Sequence, residues 1–197
     1  MAGLRIKGVF CKPPVEREFQ AIIFTLCRES LLLQEGPVWN MENEITLVDI
    51  PSQKVLGIRR NGHYADIALL FPELFEYICG NGIEIAGMPM FLCHEAGKEE
   101  AIAADQAGTA DLEVAVPVVG NPEGSGQIKR YTIPGGKMAR TFHKGPYEAC
   151  EPTYMKLFGW IIEHNLKIVG PIRELYHNDP NEVEPEEILT EILAPVE

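Results

Sequence analysis

From residue 45 onward, apolar and polar positions alternate in short runs that end at glycine, proline or asparagine. Residues 172–177 show the pattern most clearly. Ile172, Glu174 and Tyr176 fall on one face of an extended strand, bounded by Pro171 and by Asn178-Asp179-Pro180. Comparable runs predict strands at 45–50, 54–60, 88–94 and 112–118, then at 128–133, 137–143 and 189–196. Residues 66–79 and 151–164 read as helices. In the second helix Met155, Phe158, Ile161 and Ile162 recur at i, i+3, i+6 and i+7, an amphipathic stripe. Gly80-Asn81-Gly82 and His164-Asn165 supply the helix stops. Residues 96–110 read as a loop. Strands and helices segregate, so the expected class is α+β, an antiparallel sheet with its helices on one face.

The predicted elements repeat. At a fixed offset of 83 residues, Ile50-Pro51 matches Ile133-Pro134, Lys54 matches Lys137, Gly62 matches Gly145 and Tyr64 matches Tyr147. Leu74-Phe75 then meets Leu157-Phe158, Gly87 meets Gly170 and His94 meets His177. Beyond the 96–110 loop the offset becomes 78, which aligns Glu113 with Glu191 and Pro117-Val118 with Pro195-Val196. The chain is therefore a tandem duplication, one copy at about 45–118 and the other at about 128–196. Two copies predict a pseudo-twofold domain rather than a solenoid. Equivalent positions differ where Glu174 stands against Phe91 and Tyr176 against Cys93.

Residues 1–43 look different. Lys12-Pro13-Pro14 breaks the chain, 15–34 has roughly helical apolar spacing, and Met41 offers an alternative start just before the first strand. This segment is expected to be an extension to a domain at 44–197. No second helix follows a short glycine turn, so a helix-turn-helix unit is not supported.

Charge and chemistry narrow the functional classes. A net charge of −12 argues against direct binding to nucleic-acid phosphates. Five scattered cysteines without a C-x-x-C pair argue against a disulfide framework or a zinc site, and no apolar run reaches membrane-spanning length. The expected location is the cytoplasm, with no cofactor and no metal. No nucleophile elbow and no phosphate-cradling glycine loop is present.

The run His143-Lys144-Gly145-Pro146-Tyr147, the helix carrying Trp160, Gly170-Pro171, 174–180 and Thr190-Glu191-Ile192 with Pro195-Val196 occur in an order that resembles the GyrI-like small-molecule-binding family. That family includes effector-binding domains of multidrug-responsive transcription activators and a gyrase-inhibitory protein. The resemblance implies tandem strand-helix-strand-strand modules with a ligand cleft on the pseudo-twofold axis. It also implies that Glu174 is a buried glutamate facing cationic aromatic ligands. Tyr147 and Tyr176 are its expected companions, with Trp160 and Tyr154 weaker candidates. Phe91 and Tyr64 are expected from the first copy, and Leu189 and Glu191, at alternating positions of the last strand, on the same face.

Plainer readings stand beside these. Glutamate is seldom buried. Tyr147 serves equally to pack its turn, and Trp160 at helical spacing suits the core better than a site. Glu113 and Glu191 match across the copies, which favours structural pairing with basic residues such as Arg59 or Arg140. His94 and His177 also match, which favours structural hydrogen bonds. The leading functional expectation is a binding module for aromatic or cationic organic molecules. The resemblance implies two alternatives: a hydrolase of strained cyclopropane-bearing electrophiles, with Glu174 as general base, and a gyrase-modulating protein that acts on a separate partner. A haem-binding reading requires His143 and His177 as ligands and has the least support.

Overall fold

Two residues, Pro51 and Ser52, join β1 (Thr46–Ile50) to β2 (Gln53–Gly62), yet these strands do not pair. β1 instead lies against β6 (Gly136–Lys144), and β2 lies against β5 (Lys129–Ile133). Pro134 and Gly135 join β5 to β6 in the same way, so the two copies exchange their first strands. The computed structural model describes residues 44–95, 97–180 and 182–197. The helix expected at 15–34 and the alternative start at Met41 lie outside them.

The remaining strands are β3 (Met90–Cys93), β4 (Ala110–Pro117), β7 (Ile172–Tyr176) and β8 (Leu189–Pro195). All eight form one antiparallel sheet in the order β1-β6-β8-β7-β3-β4-β2-β5. β5 and β6 stand near opposite ends of that order. A two-residue link spans only about 10 Å, so the sheet must curl until its ends meet. The two links touch where they cross. A Cβ added at Gly135 would lie 2.4 Å from the Ile50 carbonyl oxygen and 2.5 Å from the Ser52 nitrogen.

β3 and β7 form the centre, and Phe91 faces Glu174 across them. These two residues are equivalent in the duplication, so the pseudo-twofold axis passes between them. Curling covers both sheet faces here, which is why all four residues of β3 are buried. One face carries α1 (Ile67–Gly80) and α3 (Glu151–Glu163), and the main core lies beneath them, with Leu56, Ile58, Leu70, Leu74 and Leu157 fully buried. Each such leucine or isoleucine contributes roughly 2 kcal/mol by leaving water. The other face holds a smaller core of Val55, Met90, Leu92, Ala115 and Ile133.

Two expectations need correction. Residues 96–110 contain a helix, α2 (Lys98–Ala107), capped by Gly108 in the left-handed conformation. It buries only Ala101, so it leaves no apolar stripe in the sequence. In α3 the buried side is Thr153, Tyr154, Leu157 and Ile161. Met155 and Ile162 are 62% and 74% exposed; the predicted stripe is rotated because Leu157, not Phe158, seats the helix. Among the described residues no helix is long and apolar enough to cross a membrane.

The crossing predicts an asymmetric response to alanine. Gly135→Ala forces the links apart and is expected to cost about 1–3 kcal/mol. Gly159→Ala, at a helical position with nothing within 4 Å, is expected to stabilise by about 0.5–1 kcal/mol. Urea unfolding of both variants checks this, and equal midpoints would contradict it.

Candidate ligand-binding site

Glu174 lies at the centre of the sheet, on the helix-bearing face, between Phe91 on β3 and Ile192 on β8. It is 3% exposed. Tyr176, two residues along the strand, projects to the same face and donates its hydroxyl to Glu174 Oε2 at 3.0 Å. Tyr154, from the buried side of α3, donates to Oε1. Both carboxylate oxygens thus accept a tyrosine hydroxyl, the satisfaction a buried anion requires.

Aromatic rings enclose this triad. Tyr147, in the 3-10 turn before α3, and Phe71 on α1 each meet the Tyr176 ring edge-on at 5.7 Å. Tyr64, in the turn before α1, meets Phe91 edge-on at 6.1 Å. Such edge-to-face contacts fix ring positions as well as adding burial. Burial, with Cys93 and Glu95 beside it, pushes the Tyr64 hydroxyl above its ordinary pKa. Burial, then Glu95 and Glu174, push the Cys93 thiol up to about 12. Cys93 therefore acts as a small neutral wall.

The duplication explains the layout. At the offset of 83, Tyr64 matches Tyr147, Phe71 matches Tyr154, Phe91 matches Glu174 and Cys93 matches Tyr176. The second copy supplies the whole polar triad, and the first supplies Phe, Phe and Cys in its place. Tyr154 is more central than its sequence context suggests. Its i, i+3, i+7 spacing with Leu157 and Ile161 marks it as inward-facing, and its equivalence to Phe71 marks it as specialised.

Three expected site residues lie elsewhere. Trp160 is half-buried and stacks on His164 of its own helix at 3.8 Å. Leu189 and Glu191 occupy the sheet face away from the helices, because Ile192 and Thr190 are the β8 residues that pair with Glu174 and Tyr176. Parity along a strand is absolute, so a slip of one residue reverses the face. Glu191 meets His177 at 2.8 Å, and Glu113 meets His94 at 2.7 Å in the other copy. The duplicated carboxylate and histidine thus bind each other. Tyr131 donates to Glu113 at 2.6 Å, and Arg59 lies 3.6 Å away. His143 is buried against Thr153 and the Pro146 carbonyl, so the pair needed for a haem site is split between two separate environments. Among the described residues no cluster of three His, Cys, Asp or Glu is placed to hold a metal ion.

Comparison with known proteins gives a consistent result. The GyrI-like small-molecule-binding domain family matches residues 43–197. No curated protein matches the chain. Among solved structures, the C-terminal domain of EcmrR superposes with a TM-score of 0.68 at 24% identity, covering 78% of this chain and 97% of that one. EcmrR in complex with DNA gives 0.69 at 22%, covering 90% and 68%. A hydrolase from Listeria innocua gives 0.55 at 12%, covering 81% and 94%. SAV2435, solved with tetraphenylphosphonium, gives 0.50 at 17%, covering 78% and 94%. At these identities the likeness is one of fold.

The Glu113 cluster makes a pH prediction. Burial alone would raise its pKa, but hydrogen bonds from His94 and Tyr131, and the His94 and Arg59 charges, outweigh it and hold the carboxyl below its ordinary value of 4.5. A depressed pKa contributes stability above the unfolded value, and that stability is lost as pH falls through the folded one. The melting temperature is therefore expected to drop below about pH 4.5, more steeply in the wild type than in Glu113→Gln. Parallel slopes in a melting series would refute this.

Proposed function

The chain belongs to the GyrI-like small-molecule-binding domain family, and from that premise we propose that it binds lipophilic, aromatic cations around Glu174. The observation that carries this reading is a carboxylate almost sealed from water and ringed by Tyr154, Tyr176, Tyr147, Phe71, Phe91 and Tyr64. A desolvated carboxylate strongly favours a nearby positive charge, and aromatic faces add cation–π attraction. A cation whose charge is buried in hydrocarbon gives up little hydration on entering such a site. The fold likeness to SAV2435, solved with tetraphenylphosphonium, agrees with this ligand class.

The closed aromatic shell also sets how binding proceeds. Tyr147, Tyr154 and Tyr176 are all buried, so a ligand must displace at least one ring, and the two hydroxyls on Glu174 hold the carboxylate until a cation replaces them. The same hydroxyls weigh against the hydrolase reading. A general base must present an oxygen to water, whereas both oxygens here already face tyrosine. We read this acidic domain as a sensor that makes no nucleic-acid contacts itself, although the EcmrR complex includes DNA.

Tetraphenylphosphonium at about 100 times its dissociation constant is expected to raise the melting temperature by roughly 5–10 °C. Glu174→Gln, whose amide oxygen still accepts from one tyrosine while its NH2 donates to the hydroxyl oxygen of the other, is expected to melt near the wild type and to lose that response. A full response in the folded variant would sink the proposal. Turnover of a strained electrophile, abolished by the same change, would restore the hydrolase reading.

A further inference from the structure

Arg173 precedes Glu174 on β7, so its side chain leaves the sheet on the face away from the helices. Leu92 and Leu193 flank it on the adjacent strands, and it is 3% exposed. Nη2 donates to the Pro134 carbonyl in the crossing link at 2.7 Å. Nε and Nη1 have no hydrogen-bond partner among the described residues. Burial pushes the guanidinium below its ordinary pKa, opposed by the charge of Glu113. Two buried, unpaired N–H donors on a cation are unfavourable unless an anion completes them. The fold itself does not require them, since Met90, fully buried, occupies the equivalent position in the first copy.

The residue also borders a cavity of about 490 Å³ between the curled sheet and the β5–β6 link, within the roughly 300–1,000 Å³ typical of small-molecule sites. Leu92, Ile133, Met138 and Pro171 give it apolar walls, and Lys137 stands at its rim. Glu113 and Arg59 line it too, but Tyr131 and His94 hold Glu113, and Asp111 clamps Arg59 at 2.6 and 2.8 Å. Among the described residues of the lining, the two cations that form no ion pair are Arg173 and Lys137.

We propose that this cavity is a second ligand site, one that takes a small organic acid. The carboxylate docks on the Arg173 guanidinium, whose planar fork suits it, and the apolar body packs against the leucine, isoleucine and proline walls. The site goes beyond the aromatic shell around Glu174. It lies on the other face of the sheet and selects the opposite charge.

The test is calorimetric titration of the full chain with 1-naphthoate, and with 1-naphthamide as its uncharged match. Saturable naphthoate binding is expected, at least roughly tenfold tighter than naphthamide. Arg173→Met, which copies the residue found at Met90, is expected to fold and to weaken naphthoate by at least roughly tenfold, while Glu174→Gln leaves it within about twofold. Equal affinity for acid and amide, undiminished binding in Arg173→Met, loss in Glu174→Gln, or no binding up to about 10 mM would each overturn the proposal. Should Arg173→Met fail to fold, the Arg173 Nε–H proton resonance of the wild type decides. A downfield shift with slowed exchange on adding naphthoate supports the site, and an unmoved signal overturns it.

Discussion

The exchange of first strands between the two copies is the constraint on which the architecture depends. β1 belongs to the first copy but completes the second copy's half of the sheet, and β5 does the reverse. Because each is tied to its own copy by two residues, the ends of an eight-stranded sheet are drawn together and the sheet curls. Curling covers the middle strands on both sides. Only a strand covered on both sides can hide charged groups on both, and β7 does so with two neighbouring residues. Glu174 enters the helix-side core, and Arg173 enters the smaller core opposite.

Those two residues show how a duplicated fold departs from its own symmetry. The scaffold positions are shared: paired glycines, the carboxylate–histidine contacts at the ends of the central strands, the buried leucines of both helices. The differences gather at the axis. Tyr154, Glu174 and Tyr176 face Phe71, Phe91 and Cys93, while Arg173 answers to Met90. A buried polar group is unfavourable unless its partners are also present. The triad satisfies this by having both hydroxyls in the same copy as the carboxylate.

Much of this was legible in the residues. Strand and helix positions follow from local periodicity, and the duplication follows from spaced identities that need no structure to see. Glu174, Tyr176, Tyr147, Phe91 and Tyr64 do come together around one point. The partnering of strands was not legible, because a Pro-x link looks the same whether it closes a hairpin or sends the chain across a sheet. Leu189 and Glu191 sit on the face opposite to the expected one because alternation fixes which residues share a side but not which side that is. The exposed apolar residues of α3, Met155 and Ile162, imitate a core stripe. Nothing local marks Arg173 as buried; its surroundings arise only once the link at Pro134 crosses over it.

The strand exchange also bears on how a single buried carboxylate could arise at all. One copy alone would lack the strand that the other lends it, so an unduplicated form could complete its sheet only as a pair of chains trading strands about a true twofold axis. In such a pair every substitution occurs twice. A glutamate at the position of Phe91 and Glu174 would then face its own twin across β3 and β7, two like charges held side by side out of water. Joining the copies in one chain removes that obligation, so one side can stay phenylalanine while the other carries a carboxyl group. The covalent link between the halves thus did more than hold them together: it freed the axis from having to be identical on both sides.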